Sequence, residues 1–242
     1  MPPTICIHCL AAPAEEKDHV LPRSWYPDGT PLTVQRPTVP SCKACGARLK
    51  KAEEQTALAL MCARGFDKDH VAAVGVYDRV RSTWDVNAPG SARAFKYRRD
   101  RIYSIMSRVR PIVASPSEAV GAARIQARTA AGVWVEAAVA LKFRREDFDA
   151  VIGKFVRGLH YHRTGTPLHG DAKVIAFDPP QEAMQAASEL PDRGSLSEGL
   201  HWRFYQDEHP GRSWWFFLLW GQVNMAAVVE TPGANAPAAV GR

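Results

Sequence analysis

Cys6-Ile-His-Cys9 and Cys42-Lys-Ala-Cys45 are two CxxC pairs separated by residues 10–41. A two-residue spacer lets both sulfurs of a pair turn toward one point, so four thiolates from two such pairs can surround one Zn²⁺ tetrahedrally. An ion held this way has no open coordination position. It would serve structure, supplying part of the folding free energy of a region too small to bury much core. Two competing readings are a redox-active CxxC and ordinary buried thiols. A redox site needs one CxxC after a strand in a βαβ setting, whereas here two pairs flank a proline-rich loop. His8 lies inside the first pair, but a set of four thiolate ligands is complete without it. Cys62, the fifth cysteine, reads as a small apolar residue inside a helix.

Between the pairs runs Glu16-Lys-Asp18-His19-Val-Leu-Pro22-Arg23-Ser24. The order CxxC, Asp-His-x-x-Pro, then CxxC opening a helix resembles HNH endonucleases of the ββα-metal superfamily, in the branch with a zinc knuckle. The resemblance covers about residues 6–54. It implies two strands and a helix in a treble-clef-like arrangement, His19 as general base on water, and Asp18 as a ligand of one divalent cation. The chemistry is coherent in itself. Histidine accepts a proton near neutral pH because its ordinary pKa is close to ~6.5. A hard cation such as Mg²⁺ or Mn²⁺, with positions left for water and phosphate, would stabilise charge at the leaving oxygen.

The chain departs from the family after the last cysteine, where a metal-binding asparagine is usual and Gly46 stands instead. Glycine offers no ligand. Glu53 and Glu54 are the candidates to replace it, with a solvated helix face as the other reading of both. Arg23, Arg36, Arg48, Lys50 and Lys51 lie close to this site in sequence and could grip a phosphate backbone. Further on, Arg93–Arg110 carries seven basic residues against the single Asp100, with Phe95, Tyr97 and Tyr103 interleaved. Here Lys96, Arg98, Arg99 and Arg101 could neutralise phosphates while the rings stack on unpaired bases. The alternative is a basic face whose aromatics point into the core.

These residues need a scaffold, and the 242-residue chain with 46% hydrophobic content is long enough to build one. The pattern implies an α+β protein: a zinc-binding HNH-like domain over residues 1–66, an α+β domain over 67–230, and a loose tail over 231–242. A helix is expected from Lys43 to Ala63 and another over Glu118–Ala131, capped by Ser115 or Ser117. The clearest helix has Phe148, Val151, Ile152, Phe155, Val156 and Leu159 at steps of three and four, with Gly158 weakening its last turn. Its Lys154–Gly158 stretch is similar to Lys-x-x-x-Gly segments in the rear half of HNH-type proteins, and no role is read from it. His160 and His162 alternate as on an extended segment, either a metal pair or a polar helix end. Lys173–Phe177 reads as a strand, Pro180–Leu190 as a short helix, and His201–Tyr205, Ser213–Val223 and Asn224–Glu230 as antiparallel strands. Trp202, Trp214, Trp215 and Trp220 would fill the core of that sheet or form a partner surface.

The net charge of +6 favours polyanionic partners. No apolar run is long enough to cross a bilayer and no secretory signal is visible, so a cytoplasmic setting without membrane contact is expected. The reading is a metal-dependent endonuclease hydrolysing phosphodiester bonds in DNA, with structural Zn²⁺ and catalytic Mg²⁺ or Mn²⁺. Its alternatives are a zinc-stabilised nucleic-acid-binding module with a decayed site, and an interaction module using the Trp-rich sheet. Oligomeric state is left open.

Overall fold

The computed structural model describes residues 4–61, 66–106, 109–111, 122–128, 134–141, 144–197, 199–209 and 211–232. Cys62 and residues 233–242 of the expected tail lie outside the described residues.

The chain is a mixed α and β protein with antiparallel sheets. Strands β1 (Glu16–His19) and β2 (Thr38–Ser41) form a two-stranded ribbon in which Asp18 faces Val39 and His19 faces Thr38. Helix α1 (Lys43–Met61) follows β2 directly. The first CxxC pair is a tight loop closed by Leu10 N–H on the Cys6 carbonyl, with Leu10 in the left-handed region at φ 56°. Ile7 N–H donates to the Pro40 carbonyl and fastens that loop to β2.

Two helices come next, α2 (Val76–Ser82) and α3 (Ala92–Met106), then the strands β3 (Val109–Pro111), β4 (Ala122–Arg128) and β5 (Trp134–Leu141) in the order β3-β5-β4. A strand at Ala122–Arg128 replaces the helix expected over Glu118–Ala131. The segment alternates Ala123, Ile125 and Ala127 with Arg124, Gln126 and Arg128, a period of two that pairs with β5 from Arg128↔Trp134 to Ala122↔Ala140. Over these seven residues the pairing with β5 overrides the helical expectation. The rest of that expected helix lies outside the described residues.

Helix α4 (Arg145–Thr164) is longer than its apolar stripe suggested, ending only at Gly165 with φ 72°. Gly158 is therefore no terminator. A Cβ there would meet Val20 Cγ2 at 2.8 Å, so the glycine lets α4 lie against the end of β1. His160 and His162 fall within this helix rather than on an extended segment, and two positions apart on a helix point to different sides.

Strand β6 (Lys173–Phe177), helix α5 (Gln181–Ser188) and strands β7 (Arg193–Ser197), β8 (Leu200–Gln206), β9 (Arg212–Leu219) and β10 (Val223–Glu230) complete the chain, with sheet order β6-β10-β9-β8-β7. The stripe of α4 packs on this sheet, and Trp202, Trp215 and Trp220 are buried in the core. The core is continuous from the knuckle side to the sheet. Trp25, in the short 3-10 turn Arg23–Trp25, meets Phe155 edge to face at 5.7 Å, and Trp220 donates its indole N–H to the Trp25 carbonyl at 2.9 Å. No helix among the described residues is long and apolar enough to cross a membrane.

Candidate functional site

The four expected cysteines converge. Their Sγ atoms all lie within 4.8 Å of one another, and Cys9 and Cys42 are 4.0 Å apart. Four sulfurs at Zn–S distances of ~2.3 Å would sit about 3.8 Å apart, so modest contraction suffices for tetrahedral binding. Cys6, Cys42 and Cys45 are buried with Leu49, and Ala12 and Ala150 pack around them. Backbone N–H groups of Ala11 and Ala12 bring the Cys9 thiol down to about 6, whereas burial and the adjoining sulfurs push Cys45 up to about 12. A central cation would relieve the crowding of thiolates that raises Cys45. The cluster could thus hold a metal such as zinc.

Beside this cluster, β1 and α1 form one wall of an open cleft of about 690 Å³. Strand β1 contributes Glu16, Lys17 and Asp18 to the cleft, and α1 contributes Gly46, Lys50, Glu53 and Glu54. Arg23, Lys43, Arg79 and Arg101 bring positive charge to the same space.

Asp18 and Glu53 are brought together by a third group, Lys154 of α4. Its side chain is 1% exposed, and its Nζ donates to Asp18 Oδ1 at 2.9 Å and to Glu53. On the other side of Asp18, His8 Nε2 stands 3.6 Å from Oδ2, too far for a good hydrogen bond. Burial by itself would raise the Asp18 carboxyl. The facing His8 and Lys154 outweigh it and hold the group below the usual carboxylate value. Glu53 moves the other way, raised by burial and by repulsion from Asp18 and Glu54, which Lys154 offsets only in part.

Glu54 is engaged separately by Arg101 of α3, with Tyr97 donating its hydroxyl at 3.4 Å. Over Gly46 lies the Glu16 carboxylate, in the space a Cβ would need. No asparagine side chain could enter there without displacing it. His19 is half-buried and is not among the residues lining the cleft. Burial first, then the nearby Arg23 charge, lower its pKa below the ordinary 6.5, against the opposing pull of Asp18 and the Arg36 carbonyl. Its Nδ1 is buried without a hydrogen-bond partner.

The basic residues divide into different roles. Arg23 and Lys50 line the cleft, Lys51 is exposed outside it, and Arg48 lines a second recess of about 220 Å³ with His8, Lys154 and Arg157. Lys96 and Arg99 are exposed on α3. Arg98 instead donates to the Ala88 and Pro89 carbonyls, and Arg101 is buried against Glu54.

Family models, curated proteins and solved structures give no match to this chain. The site therefore rests on its own geometry. Among the described residues, the cysteine cluster is the group of three or more ligand side chains with metal-compatible spacing. The carboxylates Asp18, Glu53 and Glu54 do not form a second one.

Lys154, Glu16 and His8 are the site residues that motif reading passed over. Lys154 lies beside the apolar stripe of α4, four residues before Gly158, where a helical reading leaves a lysine free to face solvent, so its burial had no local signal. For Glu16 there was only its position two residues before Asp18, on the same strand face.

Proposed function

We propose that this chain is a nucleic-acid-binding protein built on a zinc-stapled ββα-metal module of the HNH type, treble-clef-like in its zinc-bearing part, in which a lysine stands where a catalytic cation would. The observation that carries this reading is the Lys154 ammonium between Asp18 and Glu53. A divalent ion in that place would meet a fixed positive charge, and the lysine is too deeply buried to move aside without cost. Gly46 removes the usual additional ligand. What remains is a hairpin and helix held by Cys6, Cys9, Cys42 and Cys45, with Zn²⁺ as the fitting ion, beside a cleft where Arg79 is taken up by Asp28 and the Ser24 and Tyr26 carbonyls, while Arg23 and Lys50 are exposed. Such groups attract phosphates, and DNA is the polyanion this reading assigns.

A second reading, a metal-dependent HNH-type endonuclease cutting DNA with Mg²⁺ or Mn²⁺, is favoured by two observations. Glu16, Asp18 and Glu53 share one cleft, and burial and the Arg23 charge lower the His19 pKa, which favours the neutral ring a general base requires.

The deciding experiment incubates zinc-loaded protein with supercoiled plasmid in Mg²⁺ or Mn²⁺, beside a His19→Ala variant of equal zinc content, and measures DNA binding across a salt series. Salt-dependent binding without nicking, unchanged in the variant, is the expected result. Nicking by the parent that His19→Ala abolishes would establish the nuclease. Absence of any DNA binding would overturn both readings.

A further inference from the structure

Helix α3 forms a rim beside the cleft, joined to α1 by the Arg101–Glu54 ion pair and the Tyr97 hydroxyl. Its sequence, ARAFKYRRDRIYSIM, holds five basic residues and one acid. The arginines that anchor it face inward: Arg98 reaches the Pro89 carbonyl at 3.1 Å, and Arg101 is buried. The other face carries neither of these anchoring arginines. There Phe95 is 48% and Tyr103 66% exposed, and Arg93, Lys96 and Arg99 are exposed as well.

Single exposed apolar residues are ordinary on a protein surface. Three exposed rings on one helix, Phe95, Tyr103 and the Glu54-bonded Tyr97, set among cations beside a charged cleft, have a more specific chemistry. Phe95 and Tyr103 are eight positions apart, hence about 12 Å apart along the axis and about 80° apart around it, with Arg99 between them. The arginine is only loosely occupied, 3.9 Å from Asp100. A ring flanked by guanidinium and ammonium groups suits a base face with a phosphate beside it, and a polyanion matches the helix charge.

We propose that the outer face of α3 binds an unpaired DNA strand, Phe95 and Tyr103 stacking on bases while Arg93, Lys96 and Arg99 hold phosphates. The proposal rests on the nucleic-acid reading above and adds the substrate class. In a duplex both faces of each base are covered by neighbours, so the rings gain nothing and only the charge attraction remains. The same helix therefore distinguishes strand from duplex. It also leads an unpaired strand toward the cleft, because Arg101 and Tyr97 touch the cleft residue Glu54.

Fluorescence anisotropy with labelled oligo(dT), competed by a duplex and by oligo(U) of equal length, tests this on the full zinc-loaded chain. The expected result is tighter binding of oligo(dT) than of duplex, with about a tenfold loss for Phe95→Ala or Tyr103→Ala and no change in duplex affinity. Both side chains are exposed, so unchanged thermal midpoints should show that the variants remain folded. Equal affinity for strand and duplex, indifferent to both substitutions, would overturn the α3 assignment while leaving nucleic-acid binding intact. Preference for oligo(U) would overturn DNA as the occupant. Failure to bind any of the three would sink the underlying reading too, and would leave the exposed rings as a protein contact.

Discussion

Lys154 Nζ and Asp18 Oδ1 lie 2.9 Å apart across 136 residues of sequence, joining α4 to β1. The ammonium also serves Glu53 on α1, so one buried cation ties three elements together. Removing one member of such a set leaves buried charge uncompensated. Lys154→Met should cost about 3 kcal/mol, the low end for a broken buried pair because the carboxylates retain some solvent contact. Urea unfolding measures the loss. The triple variant Asp18→Asn, Glu53→Gln, Lys154→Met should recover most of it, and a triple no more stable than the single change would show that Lys154 acts through packing alone.

Gly158 and Val20 make a second contact between the same helix and strand. On an exposed helix, glycine to alanine gains up to about 1 kcal/mol. Here the new Cβ would stand 2.8 Å from Val20 Cγ2 and 3.0 Å from Cγ1, so overpacking of about 2 kcal/mol should reverse the sign. Gly158→Ala is expected to lower stability in the parent chain and raise it in a Val20→Ala background. Thermal melts of the four proteins in this cycle give the coupling. Stabilisation in both backgrounds would mean that α4 does not press on β1 there.

These two contacts mark where sequence reading stops. The cysteine cluster was legible because a CxxC spacing constrains two ligands locally and a second CxxC completes the set. Strand β6 was legible to its end residues, and α4 declared itself through Phe148, Val151, Ile152 and Phe155, whose spacing is a property of one helix. Lys154 lies on the flank of that stripe, its partners sit on β1 and α1, and no local pattern names them. Gly158 looked like a weak last turn because the residue that needs its missing side chain, Val20, is far off in sequence. Likewise Asp18 and His19 are adjacent in the chain, yet of the two only Asp18 lines the cleft. Adjacency in a motif did not translate into a shared face.

His19 predicts a pH dependence whose sign follows from its environment. Its folded pKa is lowered by burial and by Arg23, so near and below 6.5 the folded chain binds fewer protons at this site than the unfolded chain does. The stability contribution is fully present above 6.5 and is lost as pH falls through the folded value. His160 is shifted in the same direction by burial and by Arg163, so the parent protein reports both histidines. His19→Gln isolates one. Its urea midpoint should fall less between about pH 7.5 and about pH 5 than that of the parent. An equal fall in both proteins would assign the effect to His160 or to the carboxylates.

Metal analysis of the purified chain should find one zinc per chain, lost in Cys42→Ser. The consequence should reach beyond the knuckle, since Ala150 of α4 packs against the cysteines and Leu49. Chelation should therefore broaden the unfolding transition and lower its midpoint, rather than melting residues 4–42 alone. A chelated protein with an unchanged melt would show that the sulfur cluster is incidental to the fold.

The last test separates a lysine that merely fills space from one that stands in for a cation. In Lys154→Gln the ammonium is gone while Asp18 and Glu53 keep their positions on β1 and α1, and a polar side chain still occupies the gap. Two carboxylates left without a counter-charge attract a divalent ion, and any ion that binds only the folded form raises its stability, by about 1.4 kcal/mol at tenfold excess over Kd. Millimolar Mn²⁺ should raise the melting midpoint of Lys154→Gln and leave the parent unmoved. Adding Asp18→Asn to the variant should abolish the response, which assigns the ion to this pair rather than to exposed acids. If Mn²⁺ shifts parent and variant equally, the lysine does not compete for the ion's place and does not block a nuclease centre.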